Sequence, residues 1–231
     1  MSLNVEENAR EEVLDQKVDT VLEETGRFGR YQWFLASTYF FNIKSTTLLI
    51  MSLAYQQKIP KEYFCIYQGS EVQQSCQPVD FCDNPDVVSF TPNMELEDSY
   101  DNWVIRFDLH CASNVKIGFI TASFFIGWTF TLAWLSRISD LFGRQKLIII
   151  GTMLNFMAFL YLLICNSYTT LIVCMATFGM TSTIRMNIGV TSLYEYVKRE
   201  DYAPMYAVIT LGDGVGGLLL ALYFMTISKN S

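Results

Sequence analysis

Three charged residues stand inside long apolar stretches of the sequence: Lys44, Arg185 and Asp213. A charge at the centre of a bilayer costs about 2.5–3.5 kcal/mol on insertion scales, so each of them should face protein or a watery cavity. If the chain is helical around Lys44, Phe40 and Thr47 share its face and form a mixed surface suited to lining a cavity. We therefore take Phe40, Lys44, Thr47, Arg185 and Asp213 as a candidate path for a charged solute.

Each of these charges also has a simpler interpretation as one half of an ion pair. Lys44 lies in the middle of its apolar stretch, which favours a cavity or an ion pair over a side chain that reaches the membrane surface. Arg185 fits solute contact and simple pairing equally. For Asp213, structural pairing is favoured over solute binding, and the surrounding glycines favour close helix packing: Gly212, Gly214, Gly216 and Gly217.

Four of the six cysteines lie in one polar segment, residues 55–116: Cys65, Cys76, Cys82 and Cys111. An even number of cysteines in an exported segment predicts two disulfides, and three pairings are open. A zinc site is the less favoured alternative, because the segment has a single histidine, His110, and no tight Cys-x-x-Cys pair. Cys165 and Cys174 lie in apolar stretches, where cysteine is usually a packing residue.

The sequence lacks the patterns that carry most enzymatic chemistry. It has no Gly-x-Ser-x-Gly, no His-Glu-x-x-His and no phosphate-cradling loop. It also has no basic patch that would indicate a nucleic-acid partner. We expect neither an enzyme nor a protein that needs a metal or another cofactor.

The composition indicates an integral membrane protein. Hydrophobic residues make up 51% of the 231 residues and charged residues only 17%, against roughly 25% charged in an average soluble chain. Five apolar stretches reach the roughly 20 residues that a membrane-spanning helix needs. We therefore predict an all-α membrane protein with five transmembrane helices, at about 32–54, 117–136, 147–165, 168–194 and 202–228.

The basic residues of the short connecting segments predict the orientation. They lie before the first span, after the second and after the fourth, and all three regions fall on one side of the membrane. Since such residues stay in the cytoplasm, we expect residues 1–31 and the loop 137–146 to be cytoplasmic and residues 55–116 to be extracellular.

The loop after the second predicted span resembles a family signature. It reads Ser-Arg-Ile-Ser-Asp-Leu-Phe-Gly-Arg-Gln-Lys over residues 136–146. This is similar to Gly-x-x-x-Asp-(Arg)-x-Gly-Arg-(Arg/Lys), the signature between the second and third helices of the major facilitator superfamily. Asp140, Gly143 and Arg144 match, whereas Ser136 replaces a glycine and Leu141 replaces a frequent basic residue. A helix cap and a positive-inside anchor are the alternative interpretation of Asp140 and Arg144.

Two further stretches resemble the organic cation/anion/carnitine transporters of that superfamily. Residues 26–32 read Gly-Arg-Phe-Gly-Arg-Tyr-Gln, similar to the family's Gly-x-Phe-Gly-x-x-Gln before the first span. Residues 103–111 are similar to the aromatic-Asp-Leu-x-Cys exit from the family's large extracellular loop. The resemblance covers about residues 26–228.

The resemblance implies transport of small organic ions by alternating access, with a gate at the cytoplasmic side. Its residues here would be Asp140, Gly143, Arg144 and Glu195, the last at the end of the fourth span, where the family often keeps an acid. Asp140 and Arg144 would be neighbours one turn apart if the loop is helical. Two bases against one acid in the spans favour anionic or zwitterionic solutes.

The resemblance also implies further partners and a location. Five spans are an incomplete N-terminal bundle (residues 32–228), so a second bundle would come from the same chain or from another. The alternative is a transport-inactive membrane scaffold or a subunit of a larger membrane assembly. The plasma membrane is the favoured location, and an organelle membrane is the alternative.

Overall fold

The computed structural model describes residues 17, 20, 30–69, 72–96, 99–195, 197 and 199–226. Within the helices, the side chains of residues 31, 32, 35, 136, 140 and 199 lie outside this description. Most of the segment predicted to be cytoplasmic, residues 1–31, is also outside it, so its placement stays a prediction.

The described chain is mostly helical. Its elements run in the order α1 (Arg30–Gln56), β1 (Tyr63–Tyr67), β2 (Gln74–Cys76), α2 (Pro78–Phe81), β3 (Val87–Pro92), α3 (Trp103–Arg106), α4 (Asn114–Phe142), α5 (Arg144–Ile164), α6 (Tyr168–Thr183), a π-helical segment (Ile184–Ile188), α7 (Gly189–Glu195), a 3₁₀ turn (Arg199–Asp201) and α8 (Tyr202–Thr226).

Four helical stretches of the described chain are long and apolar enough to cross a membrane: Asn114–Leu135, Arg144–Ile164, Tyr168–Glu195 and Tyr202–Thr226. The first predicted span, 32–54, is a helix of 27 residues but is not among the four. Polar residues such as Asn42, Lys44 and Gln56 lower its hydropathy. Five crossings therefore remain a prediction, of which four are supported by length and composition.

The connection between α4 and α5 is much shorter than the predicted loop 137–146. Helix α4 continues to Phe142, and Gly143 alone separates it from α5. Gly143 has a φ of +81°, a conformation that glycine adopts without strain, and its N–H donates to the Ser139 carbonyl at 3.0 Å. The loop prediction is therefore corrected. Asp140 and Arg144 lie on different helices and are not neighbours one turn apart on one helix.

The outer segment, residues 57–113, departs from the all-α prediction. It contains a three-stranded antiparallel sheet in the order β2-β1-β3. Strand β1 is built from Tyr, Phe, Cys, Ile and Tyr, residue types that suit a half-buried strand. Both predicted disulfides are present, and they pair Cys65 with Cys76 and Cys82 with Cys111. The first joins β1 to β2, so it fixes the edge of the sheet.

Two glycines allow a close helix contact between α4 and α6. A Cβ on Gly127 would lie 2.1 Å from the Ala176 carbonyl oxygen, and one on Gly179 would lie 2.0 Å from the Phe124 carbonyl oxygen. Only hydrogen fits at these points, so the two backbones approach directly. Phe124 and Phe178, both fully buried, fill the core beside this contact.

The outer segment is joined to one end of the bundle. Asn102 Nδ2 donates to the carbonyls of Tyr55 and Lys58, at 3.1 and 2.6 Å. Arg106 Nη2 donates to the carbonyls of Leu163 and Cys165, at 2.7 and 3.0 Å. We call this the outer end. Helix α5 starts at the opposite end, which we call the Arg144 end.

Candidate functional site

Lys44 and Asp213 form an ion pair between α1 and α8. The Lys44 ammonium also donates to the Ile209 carbonyl and lies 5.1 Å from the centre of the Phe40 ring. The Lys44 side chain is 10% exposed and that of Asp213 is 31% exposed. Two residues singled out in the sequence as lone charges in apolar stretches are therefore partners, so each has a counter-charge within the protein.

Glycines of α8 allow this pair to form. A Cβ on Gly212 would lie 2.3 Å from the Phe40 ring and 2.9 Å from Lys44 Cε, and one on Gly217 would lie 2.8 Å from Met51 Sδ. The α1 face that carries Phe40 and Lys44 was predicted to line a cavity. In the structure it packs largely against α8, since these glycines leave room for the α1 side chains. Thr47 is half-buried.

A groove between α1 and α8 runs up to the ion pair. Its cavity volume is about 480 Å³. Asp201 is a charged residue of its lining. Most of the lining is aromatic or aliphatic and includes Trp33, Phe40, Phe41, Pro204, Met205, Val208 and Ile209. Phe40 and Ile209 contact Lys44 as well, so the pair lies next to the groove, although neither of its residues lines it.

Arg185 lies in the interior and is 3% exposed. Its Nη2 donates to the Asn42 carbonyl and to the hydroxyls of Ser45 and Thr46, the latter two at 2.8 and 2.7 Å. Thr46 in turn lies 3.1 Å from the Ser182 hydroxyl. These contacts tie the π-helical segment to α1. Arg185 is not among the residues that line the groove, and its described partners are neutral, so neither an ion pair nor solute contact is seen for it, and its role stays a prediction.

Arg144 and Glu195 form an ion pair at the Arg144 end. Arg144 begins α5 and Glu195 ends α7, and their side chains are 40% and 53% exposed. The structure thus brings together two of the predicted gate residues, with Gly143 directly before Arg144. The Asp140 side chain lies outside the described part, so its place in the cluster stays a prediction.

A small cavity, which we call the Arg144 cavity, adjoins this pair. Its volume is about 280 Å³, and it lies among α4, α5, the π-helical segment and α7. Arg144 lines it together with Leu132, Leu135, Ser139, Asn187, Ile188 and Thr191.

The outer segment holds a buried pair that could titrate. The Tyr63 hydroxyl lies 2.9 Å from His110 Nδ1, and the Asp108 carboxylate lies 3.9 Å from His110 Nε2. Burial raises the pKa of Tyr63 to about 12. Burial also lowers the pKa of His110, and the negative charge of Asp108 opposes that shift in part.

Several residues of these sites were missed in the sequence. The hydroxyls of Ser45 and Thr46 gave no signal, because serine and threonine are common in membrane helices. The π-helical segment has no sequence pattern of its own, although such segments are frequent at functional sites. Gly127 and Gly179 could have been found from the preference of close helix contacts for small residues.

Comparison with known proteins agrees with this arrangement. The family model described as Major Facilitator Superfamily matches residues 31–228. No curated protein matches the chain. The matched range includes all the long helices, the outer segment and both ion pairs, and its apolar helices imply a multi-pass protein in a lipid bilayer. The chain therefore belongs to the Major Facilitator Superfamily.

Proposed function

We propose that the chain transports small organic ions by alternating access, as a transporter and not an enzyme. Membership of the superfamily supports transport. The observation that carries the choice of solute is the Lys44–Asp213 pair next to an apolar groove. A mostly apolar cleft with a few convergent polar groups is the usual form of a small-molecule site.

An organic ion with an apolar body fits this site in two parts. Its body would lie along the aromatic side chains Trp33, Phe40 and Phe41, and its charged group would reach the ion pair. Lys44 and Asp213 offer one charge of each sign. A zwitterion could engage both and leave the net charge of the buried site unchanged, which avoids the cost of adding a charge to a desolvated region.

The Arg144–Glu195 pair is the proposed gate. With the predicted orientation it lies at the cytoplasmic end, where it joins the start of α5 to the end of α7. Closing that end while the rest of the path is open to the other side of the membrane is the role that the sequence resemblance implies for this region. A second bundle, from the same chain or another, would complete the path, and the plasma membrane is the proposed location.

Uptake of a panel of labelled organic cations, anions and zwitterions tests the proposal. Cells that express the chain together with the second bundle that completes the path should take up at least one class above background. Asp213→Asn and Lys44→Gln should each reduce that uptake by about tenfold or more, which corresponds to 1.4 kcal/mol of lost binding. Arg137→Gln, at an exposed base of α4, is the matched control and should keep it. Absence of uptake for every ion, or full uptake by Asp213→Asn at equal membrane levels, would refute the proposal.

A further inference from the structure

The Arg144 cavity combines two kinds of lining that suit different parts of one ligand. Arg144, Ser139, Asn187 and Thr191 are polar or charged, whereas Leu132, Leu135 and Ile188 are aliphatic. We propose that this cavity binds a membrane phospholipid with an anionic headgroup, whose phosphate contacts Arg144 in competition with Glu195.

The positive charge of Arg144 in the lining indicates a negatively charged ligand. Among the described residues that line the cavity, Arg144 is the one that carries a charge. Its described ion pair with Glu195 uses Nη1, whereas a guanidinium carries five N–H donors in a planar fork. A phosphate can accept two parallel hydrogen bonds from such a fork. Hydroxyls of Ser139 and Thr191 and the amide of Asn187 add polar lining around it.

A ligand can compete with Glu195 for Arg144 because the Arg144–Glu195 pair is exposed. The Glu195 side chain is 53% exposed, so its carboxylate can be hydrated after Arg144 leaves it. Exposed ion pairs contribute little to stability, so a phosphate that accepts several hydrogen bonds from Arg144 can replace this one. A bound headgroup would therefore weaken the proposed gate. This part of the inference rests on the proposed function, whereas the binding itself does not.

A lipid is favoured over a soluble anion by the other half of the cavity. Leu132, Leu135 and Ile188 would contact an acyl chain, and Leu132 is 46% exposed on the outside of α4. Lys146, an exposed base in the first turn of α5, adds attraction for an anionic leaflet. The π-helical segment supplies Asn187 and Ile188, so the local widening of the helix helps to form the site.

Titration of the purified full chain in detergent tests the inference without transport. The probes are short-chain phosphatidylglycerol, short-chain phosphatidylcholine and inorganic phosphate, followed by thermophoresis. We expect phosphatidylglycerol to bind about tenfold or more tightly than the other two. Arg144→Gln should remove that preference, and Arg137→Gln, whose base lies outside the cavity lining, should keep it.

The affinity of the Glu195→Gln variant for phosphatidylglycerol is a second readout. It would not change if Arg144 had only a structural role. Removing the competing carboxylate should tighten phosphatidylglycerol binding, by up to about fivefold for a pair worth about 1 kcal/mol. Equal binding of the two lipids overturns the inference, as does unchanged or weaker binding in Glu195→Gln. Equal binding of inorganic phosphate overturns the choice of a lipid. Failure of any of these leaves the uptake experiment unaffected, so the two proposals fail separately.

Discussion

The Lys44 ammonium has more partners than the Asp213 carboxylate. Lys44 contacts Asp213, the Ile209 carbonyl and the Phe40 ring, whereas the described contact of Asp213 is the ion pair alone. Substituting either residue leaves the other with an uncompensated charge in an apolar setting. The pair is thus strongly coupled even if its net contribution to stability is small.

A double-mutant cycle measures that coupling. Lys44→Met and Asp213→Leu should each lower the free energy of unfolding by about 1–3 kcal/mol, less than the 3–5 typical of fully buried pairs because Asp213 is partly exposed. The double substitution should cost less than the sum of the two, and Arg137→Met should change little. Unfolding of the purified chain in mild detergent gives the four values. Additive effects would show that the two side chains do not interact.

His110 predicts a pH dependence for the outer segment. Its pKa in the folded chain is lowered by burial, so the unfolded chain, with a pKa near 6.5, takes up the proton first. Stability is therefore full above about pH 6.5 and decreases as the pH falls toward the lower folded pKa. Thermal unfolding between about pH 7.5 and about pH 5.5 should show this decrease.

The matched control uses the fact that His110 is the only histidine of the chain. His110→Gln should remove the step near pH 6.5 and leave the carboxylate transitions at lower pH in place. An unchanged step in that variant, or greater stability on acidification of the parent chain, would show that His110 is not its source.

At the scale of the elements, two glycines of α4 differ in their surroundings: Gly127 lies at the contact with α6, whereas Gly118 has open space around it. Gly127→Ala would place a Cβ 2.1 Å from the Ala176 carbonyl oxygen, so α4 and α6 must move apart. Gly118→Ala, in the same helix, meets nothing within 4 Å. We expect the first to cost about 1–3 kcal/mol or more and the second to be neutral. Melting temperatures of the two purified variants check this, and equal values would contradict the close α4–α6 contact.

The sequence was sufficient to predict the long helices but not to predict the segments that connect them. Hydropathy located α4, α5, α6 and α8, because a membrane segment must be apolar over about 20 residues. It failed at Gly143, where one residue with positive φ makes the whole connection and a polar stretch suggested a loop. Strands of three to six residues in the outer segment were missed because they are too short for a clear alternation.

The sequence allowed the charged residues of the candidate site to be identified, but not which residues would be their partners. Lone charges in apolar stretches marked Lys44, Arg185 and Asp213, because a bilayer makes each of them costly. Which charge meets which depends on how α1 packs on α8 and on the π-helical segment. The pairing of the four cysteines likewise depends on the sheet, which brings Cys65 opposite the strand of Cys76.

At the scale of the molecule, the two ends of the bundle are held differently. The outer end has two disulfides in its segment, hydrogen bonds from Asn102 and Arg106, and stacking of Tyr55 on Phe224 with centroids 4.3 Å apart. The Arg144 end has the exposed Arg144–Glu195 pair, worth about 0–1 kcal/mol. The proposed gate is thus an exposed ion pair beside the buried clusters of Leu193 and Leu135, and we expect this end to open first.

Charge reversal at that pair tests the gate most directly. Leu135 is buried and lines the Arg144 cavity, so the thiol of a Leu135→Cys variant reports opening through its rate of labelling. Arg144→Glu and Glu195→Arg should each speed labelling, by up to about fivefold for a pair worth about 1 kcal/mol, and the double reversal should restore the parental rate. Unchanged labelling in the single variants, or a double variant as fast as they are, would contradict a gate made by this pair.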